Sequence, residues 1–159
     1  MKTSTDPIAQ LMQEHDAALA QLKVLNKAVS AFSEHGYSTR YARHMKSAMK
    51  FIEEEVSVHN YKEEAALFPV LERYVEGPTR IMRNDHKKLA KGFHKLSAAV
   101  KNIQRHRDSF SANKRLRTVA QDVVQLFVNH IHKENYILFP LVQKFLTKEE
   151  LREVAAKML

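Results

Sequence analysis

A short segment that occurs twice, 71 residues apart, constrains this chain more than any other feature. One copy begins at His59 and the other at His130. In both copies His, Lys, Glu, Leu, Phe and Pro stand in the same register. The chain therefore contains two copies of one unit, at about residues 8–75 and 79–146.

Each copy is preceded by a lone histidine, and the same offset of 71 relates His15 to His86. Each unit also carries a His-x-x-x-Glu pair. Residues four apart share one face of a helix, so the imidazole and the carboxylate of a pair point in one direction. Two such helices facing each other would bring four imidazoles and two carboxylates together. The candidate metal ligands are His15, His59, Glu63, His86, His130 and Glu134.

The composition favours an all-α fold. The 159 residues include only three glycines and four prolines, and the apolar residues recur at helical spacing. A chain of this length is one ordinary domain, so we predict a single domain over residues 1–159. The sequence has no cysteine, which excludes disulfides, thiolate metal ligands and a cysteine nucleophile.

Capping signals divide the first half of the chain. Asp6 as N-cap and Pro7 as first helical residue predict the start of a long helix that Gly36 ends. Ser38 or Thr39 should cap a second helix. Its pattern stays helical across Pro69, so a kink is predicted there, since proline has no N–H to donate. The second helix should end at the segment Glu76-Gly77-Pro78.

The second half of the chain repeats this organisation. Thr79 should open the third helix, a polar loop is predicted over residues 108–113, and Pro140 should kink the fourth helix. Thr147 and Glu150 have capping-box spacing, which predicts a short C-terminal helix whose apolar residues extend to Leu159. Four long helices with short connections predict an up-down-up-down four-helix bundle.

The candidate ligands lie on the apolar stripes of these helices. A single histidine there is usually a hydrogen-bonded core residue, and a single His-x-x-x-Glu is a common surface pair. Six ionisable groups repeated at one offset on core-facing stripes would be very costly to bury without a counter-charge. A bound cation removes that cost. The remaining histidines are predicted to be surface or local packing residues: His35, His44, His94, His106 and His132.

Imidazole and carboxylate without sulfur suit iron, manganese or zinc better than calcium or magnesium. Six ligands on four helices are too many for one tetrahedral zinc, and they suit two metals bridged by carboxylates. The two-fold repeat permits more than one way of pairing the histidines. Which histidines share a metal stays open at this point.

The order of these motifs resembles the hemerythrin-like, or HHE cation-binding, family from about residue 8 to residue 146. The resemblance rests on the two lone histidines and on the two His-x-x-x-Glu-x-x-x-Leu-Phe-Pro segments. It implies a non-haem di-iron centre inside a four-helix bundle, with Glu63 and Glu134 bridging the irons and the four histidines as terminal ligands. A bridging oxo or hydroxo group would complete the centre.

The sequence departs from the oxygen-carrying hemerythrins at two places. They carry a further histidine where this chain has Ala90, and a His-x-x-x-x-Asp where this chain has His130-x-x-x-Glu134. We therefore expect binding or reduction of a small oxidant, such as oxygen, peroxide or nitric oxide, in sensing or detoxification rather than transport. Counting donors leaves one open position on each iron, and Ala90 is expected to leave both accessible. Family members that repair iron centres carry an additional cysteine-bearing domain, whereas this sequence has no cysteine.

The net charge of +8 raises a second hypothesis. Residues 76–159 carry 17 Lys and Arg against 8 Asp and Glu, so the excess lies wholly in the second half. The alternative function is an iron-binding or regulatory interaction module with a structural metal, contacting nucleic acid or an acidic protein through a basic face. A solvated helix surface is the simpler interpretation of the charge, since no nucleic-acid-binding motif accompanies it. The face would consist of Lys87, Lys88, Lys91, Lys95, Lys114, Arg115 and Arg117.

The first residues lack the apolar core of a signal peptide, and no apolar run approaches membrane-spanning length. We therefore expect a soluble cytoplasmic protein without a membrane segment. The oligomeric state is open.

Overall fold

The computed structural model describes residues 6–159. The helices in chain order are α1 (Pro7–His35), α2 (Thr39–Lys62), α3 (Phe68–Leu71), α4 (Pro78–Arg105), α5 (Phe110–Lys133), α6 (Phe139–Phe145) and α7 (Lys148–Lys157). A π-helical turn joins α2 to α3 and another joins α5 to α6; the first π turn is Glu63–Leu67 and the second π turn is Glu134–Leu138. Part of the segment behind the signal-peptide prediction, residues 1–5, lies outside the described residues.

The long helices form a ring of four. Helix α1 packs against α2 and α5, and α4 packs against α5 and α2. The short connections reverse the chain direction between successive long helices, which gives the up-down-up-down order. Helix α7 packs against the first π turn and α1. The predicted all-α four-helix bundle with a short C-terminal helix is confirmed. None of the helices within residues 6–159 has the length and apolarity needed to cross a membrane.

The helix boundaries follow local side-chain chemistry. The Asp6 carboxylate accepts the backbone N–H of Ile8 at 3.0 Å, directly before Pro7 opens α1. Gly36 ends α1 with a φ of 83°, a left-handed conformation that favours glycine. Thr147 starts α7 with the complete capping box that the sequence predicted. The start signals of α1 and α7 were therefore correct.

Four predicted boundaries were wrong by a few residues, including the end of the second helix, since α3 ends at Leu71 rather than at Glu76. Most of the loop predicted over residues 108–113 is helical, because Ser109 caps α5 by accepting the backbone N–H of Ala112 at 3.2 Å. Helix α4 begins at Pro78, one residue early. The α7 helix ends at Lys157, so Met158 rather than Leu159 is buried beneath it.

The predicted proline kinks take the form of π turns placed just before each proline. The backbone N–H of Phe68 bonds the carbonyl of Glu63, five residues earlier, and that of Phe139 bonds Glu134 in the same way. A π turn fits one extra residue into the helix, and such turns are frequent at functional sites. Both turns begin at a candidate metal ligand.

The candidate ligands separate the core into two apolar clusters. On α1, for example, Leu11 belongs to one cluster, Ala18 to the other, and His15 lies between them. On α4, His86 likewise lies between Met82 and Leu89. His59 and His130 instead lie between most of the larger-cluster residues of α2 and α5 and the smaller-cluster residues of the π turns that follow. The larger cluster fills the long part of the bundle, and the smaller one includes the π turns, α3, α6 and α7. The polar layer is thus shut off from water at both ends.

Candidate metal centre

All six candidate ligands are buried in this polar layer. The glutamates head the two π turns, and the histidines come from α1, α2, α4 and α5. The exposed fraction of each residue is 2% for His15, 6% for His59, 0% for Glu63, 6% for His86, 2% for His130 and 0% for Glu134. The structure therefore brings together every residue that the sequence singled out.

The ligand atoms form two overlapping groups. Within each group, one atom from each residue lies within 4.8 Å of all the others. Both groups contain Glu63 and Glu134; the first adds His15 and His59, and the second adds His86 and His130. The two histidines of each group therefore come from neighbouring helices, α1 and α2 in the first group and α4 and α5 in the second. This is one of the pairings that the repeat left open.

The two carboxylates stand between the histidine pairs. Glu134 Oε1 lies 2.8 Å from His15 Nε2, and its other oxygen, Oε2, lies 3.3 Å from His130 Nε2. Glu63 Oε1 lies 3.4 Å from His59 Nε2 and 3.2 Å from the Nε2 of His86. Each carboxylate therefore faces both groups at once, as a bridging ligand must.

Several buried atoms of this layer have no hydrogen-bond partner. They include both carboxylate oxygens of Glu63, Oε2 of Glu134 and Nε2 of both His86 and His130. Buried polar atoms are nearly always paired, and an unpaired one costs roughly 1–3 kcal/mol. Nε2 of His15 and Nε2 of His59 also lie only 3.1 Å apart, and which of them donates depends on the tautomers. A cation shared by these lone pairs would satisfy them, so the donor set fits a bound metal.

An outer layer of acids orients two of the histidines. The Nδ1–H of His59 is placed to donate to Glu14 Oε1 at 2.9 Å, and that of His130 to Asp85 Oδ2 at 3.1 Å. A proton held on Nδ1 leaves Nε2 free as a metal ligand. Sequence reasoning missed both acids. The offset of 71 that relates the ligands also relates Glu14 to Asp85, and it could have found them.

The lone histidines have different outer partners. Nδ1 of His15 lies 2.8 Å from Asn135 Oδ1, whereas Nδ1 of His86 lies 3.5 Å from Glu64 Oε2, beyond a normal hydrogen bond. Glu64 and Asn135 each follow a bridging glutamate and occupy equivalent positions of the repeat. Each lone histidine therefore faces a residue of the other repeat, but only His15 makes a hydrogen bond to it.

The Leu-Phe-Pro part of the motif has the same crossed arrangement. Phe139 stacks on the ring of His15, with centroids 5.6 Å apart, and Phe68 stacks on His86 at 5.9 Å. Both phenylalanines are at most 1% exposed. They hold the imidazole planes in place and help to keep water out of the centre.

The pKa values of the buried groups in the metal-free site are set by two opposing effects, burial and the charges of neighbouring groups. Burial acts to lower the pKa of His86, but the close carboxylates of Glu134 and Glu63 outweigh it and raise that pKa to about 9. The pKa values of His59 and His130 are raised for the same reason. Burial acts to raise the pKa of Glu134, but its histidine partners hold it well below the usual range. Protons therefore balance the carboxylates until a metal replaces them.

The histidines outside the repeat do not join the centre. All five are exposed: His35, His44, His94, His106 and His132. His132, two residues from the buried His130, instead stacks on exposed Tyr136 at 5.4 Å between centroids. Their predicted surface positions are confirmed.

The fold and the buried centre together define a class: a four-helix bundle with a histidine and carboxylate metal site in its core. The chain belongs to the hemerythrin family, because the model of the hemerythrin HHE cation-binding domain matches residues 6–142. The family resemblance of the sequence is thereby confirmed.

Similar proteins include two named iron-sulfur cluster repair protein YtfE, one from Yersinia pseudotuberculosis and one from Yersinia pestis. Each is 26% identical over 137 residues, which cover 84% of this chain and 61% of the relative. The aligned region thus spans less than two thirds of those relatives.

Proposed function

We propose that this chain is a non-haem di-iron protein that binds or reduces a small oxidant, such as oxygen, peroxide or nitric oxide, in sensing or detoxification. The observation that carries the proposal is the pair of overlapping ligand groups. Each group offers two imidazoles, and both share the carboxylates of Glu63 and Glu134. Two metals bridged by two carboxylates account for that sharing, whereas one metal would leave half of the histidines unused.

Iron fits the donor set and the proposed chemistry. Nitrogen and oxygen donors suit iron and manganese, and zinc has no redox chemistry to offer an oxidant. The family membership and the relatives named for iron-sulfur cluster repair support iron. Such clusters are sensitive to oxidants, so the relatives also favour a role in oxidant stress over oxygen transport.

The chain's own residues would fix the centre and control its surroundings. Two iron(II) ions would supply the two electrons that convert one hydrogen peroxide and two protons into two water molecules. Glu63 and Glu134 hold both metal positions, while Glu14 and Asp85 orient His59 and His130. The apolar clusters on either side keep bulk water from the layer. A bridging oxo or hydroxo group would still leave room for a small ligand.

The test is a titration of the anaerobic iron(II) protein with hydrogen peroxide. The proposal predicts two irons per chain and consumption of about one peroxide per chain as both irons are oxidised. Azide should then perturb the optical spectrum of the oxidised protein. A protein that holds oxygen reversibly for hours would be a carrier, and this result would contradict the proposal.

A second candidate function uses the basic second half. Lys88, Lys91, Lys95 and Arg115 line one groove of about 480 Å³ between α4 and α5, which Asp122 also lines. Lys114 and Arg117 line a separate cavity near the C-terminal end of α1. Four cations in one groove favour an acidic partner, with a structural metal in the core. Salt-dependent binding of DNA or an acidic protein by the metal-free chain would support this alternative.

A further inference from the structure

A cavity of about 420 Å³ lies between α2 and α4. Of the six candidate ligands, His86 alone lines it. Ala90, which follows His86 by one helical turn, is exposed and lines the same cavity. Hydrogen-bonding side chains from both helices share the lining with apolar ones; the polar group includes Ser57, Asn60, His94 and Ser97, and the apolar group includes Ile52, Val56, Leu89 and Phe93. The cavity thus extends from the protein surface to His86, one member of the histidine pair of α4 and α5.

The internal repeat provides a direct comparison for this cavity. The offset of 71 relates Ala90 on α4 to Leu19 on α1, and both follow a lone histidine by four residues. The same offset relates Ser57 to Val128 and Asn60 to Ile131. These three small or polar residues near His86 therefore have larger apolar counterparts near His15, whereas His94 and Ser97 have the polar counterparts Lys23 and Asn26.

Those apolar counterparts fill the space between α1 and α5. Ile131 is 2% exposed, and half-buried Leu19 and Val128 pack against the larger apolar cluster. Helices α1 and α5 also contact each other more extensively than α2 and α4 do. The α1–α5 side and the α2–α4 side of the metal centre provide the same kinds of ligand. They differ in how tightly the side chains next to those ligands pack.

We propose that small polar ligands reach the centre between α2 and α4, and bind at the metal position of His86 and His130. The position of His15 and His59 is closed by Leu19 and its neighbours. This inference rests on the proposed di-iron function and specifies which of its two metal positions takes the ligand. It differs from the sequence-based expectation that both are accessible. The polar lining suits a ligand of the size of hydrogen peroxide or a small anion, because it offers hydrogen bonds along the route.

The test uses azide as the probe and compares matched variants on the two sides. Ala90→Val and Ala90→Leu progressively give α4 the side-chain bulk that Leu19 has on α1. Leu19→Ala makes the reverse change. Position 90 is exposed, so neither substitution there burdens the core, and the smaller one guards against misfolding. Iron content is measured first, followed by the rate and affinity of azide binding to the oxidised protein.

We expect two irons per chain in every variant. The affinity for azide should fall from the wild type through Ala90→Val to Ala90→Leu, and in the leucine variant it should be roughly tenfold lower. The reason is that a larger side chain overfills the site, which is costly. The rate of azide binding should fall in the same order. Leu19→Ala should leave both quantities unchanged within roughly twofold, because Val128 and the buried Ile131 still close that side.

Two results would overturn the inference, and they can be told apart. Full iron content with unchanged azide binding in Ala90→Leu would show that the ligand arrives by another route, and the di-iron function would stand. The same would follow if Leu19→Ala increased the azide affinity tenfold. A wild-type protein that cannot hold two irons would overturn the proposed function and the inference together.

Discussion

The two repeats supply the same ligands to the centre and surround them differently. Both provide a lone histidine, a His-x-x-x-Glu pair and a stacking phenylalanine. Beyond those, the first repeat has Leu19 where the second has Ala90, and the second has Asn135 where the first has Glu64. The ligands have little freedom because each glutamate serves both histidine pairs. The surrounding residues touch one pair only, so the two metal positions can differ in access and in affinity.

The acids that contact the histidines from outside the centre are alike in the two repeats in charge but not in length. Glu14 and Asp85 differ by one methylene group, and each contacts one histidine of the centre. Each also contacts a lysine, Lys62 Nζ at 2.9 Å from Glu14 in the first repeat and Lys133 beside Asp85 in the second. Both repeats therefore have an acid–lysine pair next to a histidine of the centre, but the acid is longer in the first repeat than in the second.

The largest expected effect on metal binding comes from substituting a glutamate that both histidine pairs share. Glu63→Gln and Glu134→Gln should each abolish most binding of both metals, since each carboxylate faces both histidine pairs. His132→Ala is the matched control, because His132 is exposed on the same helix as His130. Metal content per chain after iron loading provides the measurement. Equal losses of metal in all three variants would mean that the bridging glutamates are not what holds the metals.

Removing the metals should have the next largest effect. The metal-free core keeps two glutamates and four histidines buried, several with unpaired atoms. Tight metal binding should therefore raise the melting temperature by roughly 10 °C, given about 4 kcal/mol at a thousandfold excess over Kd. Calorimetry with and without a chelator measures the shift. Identical melting temperatures would exclude a buried metal centre.

Asp85→Asn and Glu14→Gln should separate the two halves. Each change weakens the support of one histidine, so affinity should fall about 10–100-fold for one metal and little for the other. Asp85→Asn should weaken the position of His130, and Glu14→Gln that of His59. Titration with limiting iron(II) should show one tight and one weak site in each variant. Equal weakening of both sites would show that the positions are coupled too strongly to be distinguished.

The smallest expected effect concerns pH, and its sign differs between the metal-free and loaded proteins. The pKa of His86 is raised from 6.5 to about 9 in the folded metal-free chain. Its contribution to stability is therefore complete below about pH 6.5 and is lost as the pH rises through 9. Metal binding changes in the opposite sense, because an imidazole must release its proton to ligate.

Melting temperatures measured across that range test this sign. The metal-free protein should become less stable from pH 6.5 to 9, while the difference between loaded and metal-free protein grows. On acidification through about pH 6 to 5 the metals should be lost. Parallel curves for the two forms, or full metal retention at pH 4, would count against histidine ligation.

The sequence was sufficient to identify the buried cluster of candidate ligands because their spacing along each helix is fixed by the helical period. His59 and Glu63 share a face in any helix that contains them. Pairing between helices depends on which faces meet, and no spacing within one helix determines that. The π turns also escaped prediction: Pro69 signals a lost hydrogen bond, but several local geometries can accommodate the loss.

The outer residues were missed for a different reason. Glu14 and Asp85 are acids next to a histidine on polar helix positions, and their sequence context resembles that of ordinary surface residues. Only the repeat offset distinguishes them from the other charged residues of the chain. Access to each metal position likewise stays a prediction, because the effect of Ala90 depends on what packs around it. Leu19 occupies the equivalent position of the other repeat.

Glu63 and Glu134 are expected to hold two metals, one with His15 and His59 and the other with His86 and His130. An anomalous-difference X-ray map of iron-loaded crystals, recorded at the iron edge, would locate these metals. We expect two peaks in the polar layer between the apolar clusters, each beside one histidine pair. A single peak there, or iron found only at surface histidines, would contradict this expectation.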